Sequence, residues 1–215
     1  MPVEKIFWKD PYLTKLNAKV TSIDGNVITL DKSIFFAVSG GQDSDSGTIG
    51  AHRVIDARKV SLEILYTIEG PHTLQRGDEV LIEIDWEKRY RLMRLHFAAE
   101  IVLELMYRNY QHPVKIGANI SVDKARIDFI WQGNISETFP LIEKKASLLI
   151  DSNLPIISEF SDSIREERYW EIEGFAKVAC GGTHIRHTGE INTIRLKRNN
   201  IGKGKERIEI YLDPD

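Results

Sequence analysis

Three observations predict an α+β protein in which a small N-terminal β-barrel precedes a second, mixed domain carrying a zinc site. Short strand-like runs, separated by turn residues, recur from residue 12 to residue 85. Near Trp86 the apolar period lengthens to that of a helix. Beyond that helix, strands and helices follow one another without strict βαβ alternation. The expected division of the 215-residue chain is 1–85 and 86–215.

Taken in order, Leu16, Ala18 and Val20 alternate with polar neighbours. Asp24-Gly25-Asn26 then supplies a turn before Val27-Ile28-Thr29-Leu30. Further strands are expected over 47–51, 52–57, 60–67 and 78–85. The stretch from Phe35 to Gly47 contains Ser39-Gly40-Gly41-Gln42 and reads as too polar and glycine-rich for a core. It is expected to be a mobile loop or a flap whose backbone approaches a ligand. Leu92, Leu95, Ala99, Val102, Leu103, Met106 and Tyr110 mark an apolar stripe through Gln111, and Pro113 stops the helix. Strands are expected at 117–121 and 124–131. Phe139, Ile142, Ala146, Leu149 and Ile150 predict a second helix, with Pro140 tolerated in its first turn. Residues 154–159 read as extended, and Ser161-Asp162-Ser163 as the cap of a short helix through Arg168. From Phe175 to Leu212 the chain reads as β.

Hydrophobic content of 42% and charged content of 28% are globular values, and no apolar run is long enough to span a bilayer. One cysteine makes no internal disulfide, which points to a reducing, cytoplasmic setting and a thiol free for chemistry. The charge is unevenly spread. From Arg186 to Arg207 seven cations face two anions, a local +5 that leaves −8 for the rest of a chain whose total is −3. Such asymmetry suggests a nucleic-acid partner, or else an edge strand protected from aggregation by its lysines and arginines.

The residues with the most chemistry are Cys180 and His184, which flank Gly181-Gly182-Thr183. Thiolate and imidazole are preferred zinc ligands, and zinc takes three or four from the protein. His96 and Glu100 stand four apart on the expected helix, so both project from one face. One Zn²⁺ per chain, held by His96, Glu100, Cys180 and His184, is the expected site. His96 alone would equally read as a packed core histidine.

The segment Cys180-Gly181-Gly182-Thr183-His184-Ile185-Arg186-His187-Thr188-Gly189-Glu190-Ile191 resembles the C-terminal signature of the alanyl-tRNA synthetase editing domain. The threonyl-tRNA synthetase editing domain is a relative. Ser39-Gly40-Gly41-Gln42, with Asp45-Ser46-Gly47, is similar to the glycine-rich motif that precedes that domain. Residues 76–80, 85–89, 94–96, 126–129 and 202–208 match further pieces in order, so the resemblance covers nearly the whole chain. The chain leaves no room for an aminoacylation domain, and it resembles the medium-sized form of the freestanding AlaX-type editing proteins. In that family the helix motif is normally His-x-x-x-His, and Glu100 departs from it. Glu100 is therefore either a direct ligand or an outer group that positions water.

The resemblance implies a trans-acting, ATP-independent hydrolase that removes serine or glycine wrongly attached to alanine tRNA, cleaving the aminoacyl ester at the zinc site. Gly40, Gly41, Gln42 and Thr183 are then candidate substrate contacts, and Glu100 a candidate catalytic group. Arg195, Lys197, Arg198, Lys203 and Lys205 become candidate contacts to the acceptor stem. Two other readings compete. One is a non-catalytic tRNA-binding module stapled by zinc, and the other is a hydrolase of small aminoacyl esters.

Overall fold

A computed structural model describes residues 2–213. The chain forms two compact units, one ending at Tyr90 and one beginning at Arg91. The first contains β1 (Glu4–Lys5), α1 (Ile6–Lys9), β2 (Lys15–Asp24), β3 (Val27–Leu30), β4 (Lys32–Ser33), β5 (Gly47–Ile49), β6 (His52–Val60), β7 (Glu63–Ile68) and β8 (Glu79–Ile84). Six of these strands close into a barrel in the order β2-β3-β7-β6-β5-β8. Alternation fills it: Ile64, Tyr66 and Ile68 of β7 and Val80, Ile82 and Ile84 of β8 point inward. At Gly47, opposite Ile84, a Cβ would lie 2.1 Å from the carbonyl oxygen of Glu83, so only glycine lets β5 and β8 pair there. The short β1, α1 and β4 carry no readable period, yet Phe7 and Trp8 are part of the barrel core.

One expectation for the first unit needs correction. Phe35, Phe36 and Ala37 are not a polar loop but core, at most 3% exposed. The polar residues after them include the anchor that holds the segment down. Asp45 accepts from the Phe36 amide at 2.6 Å and from Arg89 Nε at 2.7 Å. Arg89 also reaches the carbonyls of Pro11 and Ile34, at 2.9 and 2.6 Å. Ser39 and Gln42 exchange backbone hydrogen bonds at 3.0 and 3.3 Å around Gly40 and Gly41, both with positive φ (62° and 87°). The glycines therefore make a tight two-residue hairpin turn of the kind in which both central residues need φ > 0.

The long helix α2 (Trp86–Asn109) begins in the first unit and continues through the second. After it come β9 (Lys115–Ile120), β10 (Ala125–Ile130), a 3₁₀ turn at Ile135–Thr138, α3 (Phe139–Asp151), β11 (Ile157–Asp162), β12 (Glu167–Ile172) and β13 (Ala176–Ala179). A second 3₁₀ turn at Thr188–Ile191 then leads to β14 (Ile194–Gly202) and β15 (Lys205–Leu212). One antiparallel sheet has the order β14-β15-β10-β9 and another the order β11-β12-β13. Pro140 sits in the first turn of α3, as its fixed φ allows.

α2 is broader in its burial than the expected stripe. Met93, Phe97, Ala98, Ile101 and Leu105 are buried together with Leu92, Leu95, Val102 and Met106, so the helix is an inner element. The helix expected after Ser161 is instead a hairpin turn between β11 and β12. Asp162 Oδ1 does accept from backbone amides, those of Ile164 and Arg165 at 2.9 and 3.0 Å. Glu166, at φ +57°, then sends the chain back. An aspartate that caps a helix and one that closes a turn use the same hydrogen bonds, so the residue type does not separate the two.

Candidate metal centre

The second unit brings His96 from α2 together with Cys180 and His184 from the loop after β13. Their ligand atoms all lie within 4.8 Å of one another. His96 Nε2 is 3.5 Å from Cys180 Sγ, and His184 Nε2 is 3.2 Å from it. Zinc–nitrogen bonds of about 2.0–2.1 Å and a zinc–sulfur bond of about 2.3 Å, at tetrahedral angles, would set N and S about 3.5 Å apart. Both the donor types and their spacing therefore fit an ion of the zinc kind. Both imidazoles are shielded, at 6% and 3% exposure, whereas Cys180 is half-buried.

Neighbouring residues aim the donors. Ser158 Oγ on β11 is 2.8 Å from His184 Nδ1. When Nδ1–H donates to that hydroxyl, the lone pair on Nε2 faces the sulfur. Arg168 on β12 is buried, donates from Nη1 to the Gly182 carbonyl at 3.2 Å, and accepts the Cys180 amide on its own carbonyl at 2.9 Å. It clamps the glycine loop from both the side chain and the backbone. Phe97 packs edge-on against His184, with centroids 5.6 Å apart. His96 Nδ1 is buried and finds no hydrogen-bond partner among the described residues.

Glu100 lies outside this three-residue cluster but next to it. Its Oε1 is 3.5 Å from His96 Nε2, and its Oε2 accepts the indole N–H of Trp170 at 2.9 Å. Burial opposes charge on His96, but Cys180 and Glu100 outweigh it and lift the imidazole to about 10. Burial, then His96 and Arg168, push His184 well below the usual imidazole range. Glu100 is also penalised by burial, yet His96, Trp170 and Lys115 hold its carboxyl below the ordinary range.

The other residues singled out in the sequence fall in different places. Thr183 is buried at 1% exposure within the ligand loop. Gly40 is exposed at the hairpin tip and Gln42 is buried at its base. The cations of the basic segment differ in their partners. Arg198 grips Glu206 with two hydrogen bonds, at 2.6 and 2.5 Å, and Asn200 joins the same carboxylate at 2.8 Å. Arg195 and Lys197 alternate to the opposite side of β14 and are exposed, with Arg195 over the Tyr211 ring at 5.1 Å. Lys203 and Lys205 are exposed at the β14–β15 turn. Ser158, Arg168 and Trp170 belong to the site without forming any motif in the sequence. For Arg168 and Trp170 the one signal is inward alternation along β12, where Arg168, Trp170 and Ile172 are the buried positions, and Ser158 on β11 carries none.

Residues 168–209 match the family described as the threonyl and alanyl tRNA synthetase second additional domain. Over 216 residues the chain is 32% identical to the alanyl-tRNA editing protein AlaX-M of Pyrococcus horikoshii, with 97% of each chain covered. It is also 32% identical over 240 residues to AlaX-M of Methanosarcina barkeri, covering 97% of this chain and 98% of that one. The alanine–tRNA ligase of Methanococcus aeolicus is 32% identical over 228 residues, which are 96% of this chain but 25% of the ligase. Two of the three donors, Cys180 and His184, lie within the family match, and the similarity to the editing proteins runs the length of both partners. The chain belongs to the AlaX-M family of alanyl-tRNA editing proteins.

Proposed function

We propose that this protein hydrolyses the aminoacyl ester of alanine tRNA wrongly charged with serine or glycine, acting in trans at the His96–Cys180–His184 centre. The observation that carries the reading is the number of donors. Three side chains converge, and Glu100 stands beside them with one oxygen already engaged by Trp170. A site with three protein ligands and an open fourth position is the pattern of catalytic zinc, whereas four protein ligands would only staple the fold.

The need for such a reaction is physical. A pocket sized for alanine admits glycine, and it rejects serine only by one hydroxyl. Discrimination of this size is limited to roughly 10–200-fold, so a second, hydrolytic sieve is required. A zinc ion held here supplies a Lewis acid that polarises the ester carbonyl or its attacking water. The residues of the chain do the rest. His96 Nε2, His184 Nε2 and Cys180 Sγ bind, while Ser158 and Arg168 keep His184 and the loop in place. Glu100 Oε1 accepts a hydrogen bond from water or from the amino group of the substrate and does not itself bind the ion. Thr183 and Gln42 are read as substrate contacts on the resemblance alone, and Gln42→Ala should lower hydrolysis or the Ser/Ala preference with zinc content unchanged. Arg195, Lys197, Lys203 and Lys205 are read as phosphate contacts along the acceptor stem, with Arg198 set aside for Glu206.

The test is deacylation of Ser-, Gly- and Ala-charged alanine tRNA by purified protein of known zinc content. Hydrolysis of the first two, with the alanyl ester spared, supports the reading. Zinc-loaded protein that cleaves none of them would be a zinc-stapled RNA-binding module instead.

A further inference from the structure

Trp170 is wholly buried on β12, the central strand of its sheet, and its ring is fixed by an edge-on contact with Phe97, with centroids 5.1 Å apart. An indole N–H is a donor only. Buried as it is, it requires an acceptor, and Glu100 Oε2 at 2.9 Å supplies one. The partner cannot be exchanged freely. A neutral histidine bound to a metal through one nitrogen carries a proton on the other, so it retains no acceptor at all. Placed at position 100 as a ligand, it would leave the Trp170 N–H unpaired. Glutamate has two oxygens, one for the indole and one for the site.

We infer that Trp170 is the positioning residue for Glu100, and that the two form a matched pair. Trp170 holds Oε2, so the carboxylate cannot rotate to offer both oxygens, and Oε1 alone faces the His96–Cys180–His184 cluster. Ser158, directly opposite Trp170 in the β11–β12 ladder, reaches His184, and Arg168, two residues earlier on β12, reaches the Gly182 carbonyl. One face of a small sheet thereby orients the ligand loop and the helix carboxylate together. The role of Glu100 at the reacting ester rests on the function proposed above. The pairing itself does not.

Four proteins test it: wild type, Glu100→His, Trp170→Phe and the double variant. Each is measured metal-free for its urea midpoint and titrated with Zn²⁺ against a chromophoric chelator. Glu100→His should lower the zinc affinity while Trp170 is present, and Trp170→Phe in the same chain should restore it. Glu100→Gln, which keeps an acceptor for the indole, should hold the wild-type midpoint. Trp170→Phe alone should keep one zinc per chain but reduce kcat for Ser-charged tRNA at least tenfold, with KM little changed. The inference is overturned if Glu100→His costs the same zinc affinity whichever residue occupies 170. Should the wild-type protein bind no zinc, the metal reading falls, and the metal-free midpoint of Glu100→Gln decides the pairing, a value well below wild type overturning it.

Discussion

Two of the buried polar clusters among the described residues follow opposite rules. In the first unit Asp45 and Arg89 are both 0% exposed, and their polar atoms are answered by one another, by the Phe36 amide and by two backbone carbonyls. In the second unit two nitrogens and a sulfur converge on a single point, and His96 Nδ1 finds no partner among the described residues. Proteins keep unpaired buried polar groups where function needs them, because each costs stability elsewhere. A saturated cluster therefore reads as a strut and an unsaturated, convergent one as a site. The rule also sorts the basic segment, where Arg198 is saturated by Glu206 while Arg195 and Lys197 face solvent.

The sharpest way to break the comparison is Cys180→Ala. It should release zinc and reduce deacylation at least about 100-fold, since the charge stabilisation a metal supplies is worth several kcal/mol. In metal-free protein the same change should move the unfolding free energy by less than about 1 kcal/mol. Elemental analysis and urea unfolding check the two halves, and full zinc occupancy would remove Cys180 from the centre. Asp45→Ala should do the reverse. Leaving Arg89 buried without its carboxylate should cost about 3–5 kcal/mol in urea unfolding, with zinc stoichiometry intact in the folded fraction. A loss under about 1 kcal/mol would show that the pair is not a strut.

Smaller effects sharpen the picture. Ser158→Ala should weaken zinc about 10–100-fold by freeing the His184 ring, read by chelator competition; unchanged affinity would mean the hydroxyl orients nothing. The basic segment should give the mildest response. Arg195→Ala with Lys197→Ala should flatten the log–log salt dependence of tRNA binding by about 0.7–0.9 for each phosphate that is no longer neutralised. Arg198→Ala should leave that slope alone and instead loosen the β14–β15 hairpin. Equal slopes for both variants would erase the distinction drawn on β14.

Several parts of this molecule were determined by local chemistry and are therefore legible in the sequence. Alternation along residues 63–68 and 79–84 specifies strands with one inner face, and two-residue periodicity does so without reference to partners. The four-residue spacing of His96 and Glu100 on a helix, and of Cys180 and His184 around two glycines, identifies the residue types a metal needs. Tertiary structure decided which polar residue answers which. Asp45 and Arg89 are 44 positions apart, Glu100 and Trp170 70 apart, Ser158 and His184 26 apart. Residues 35–37 look like the start of a polar loop until Asp45 and Arg89 fasten them into the barrel core. Ser161-Asp162-Ser163 caps backbone amides in either a helix or a hairpin, and only pairing with β12 selects the hairpin. Period and composition specify what a residue is able to do, whereas hydrogen-bond saturation depends on register and distance between strands and helices far apart in the chain, and so belongs to the fold.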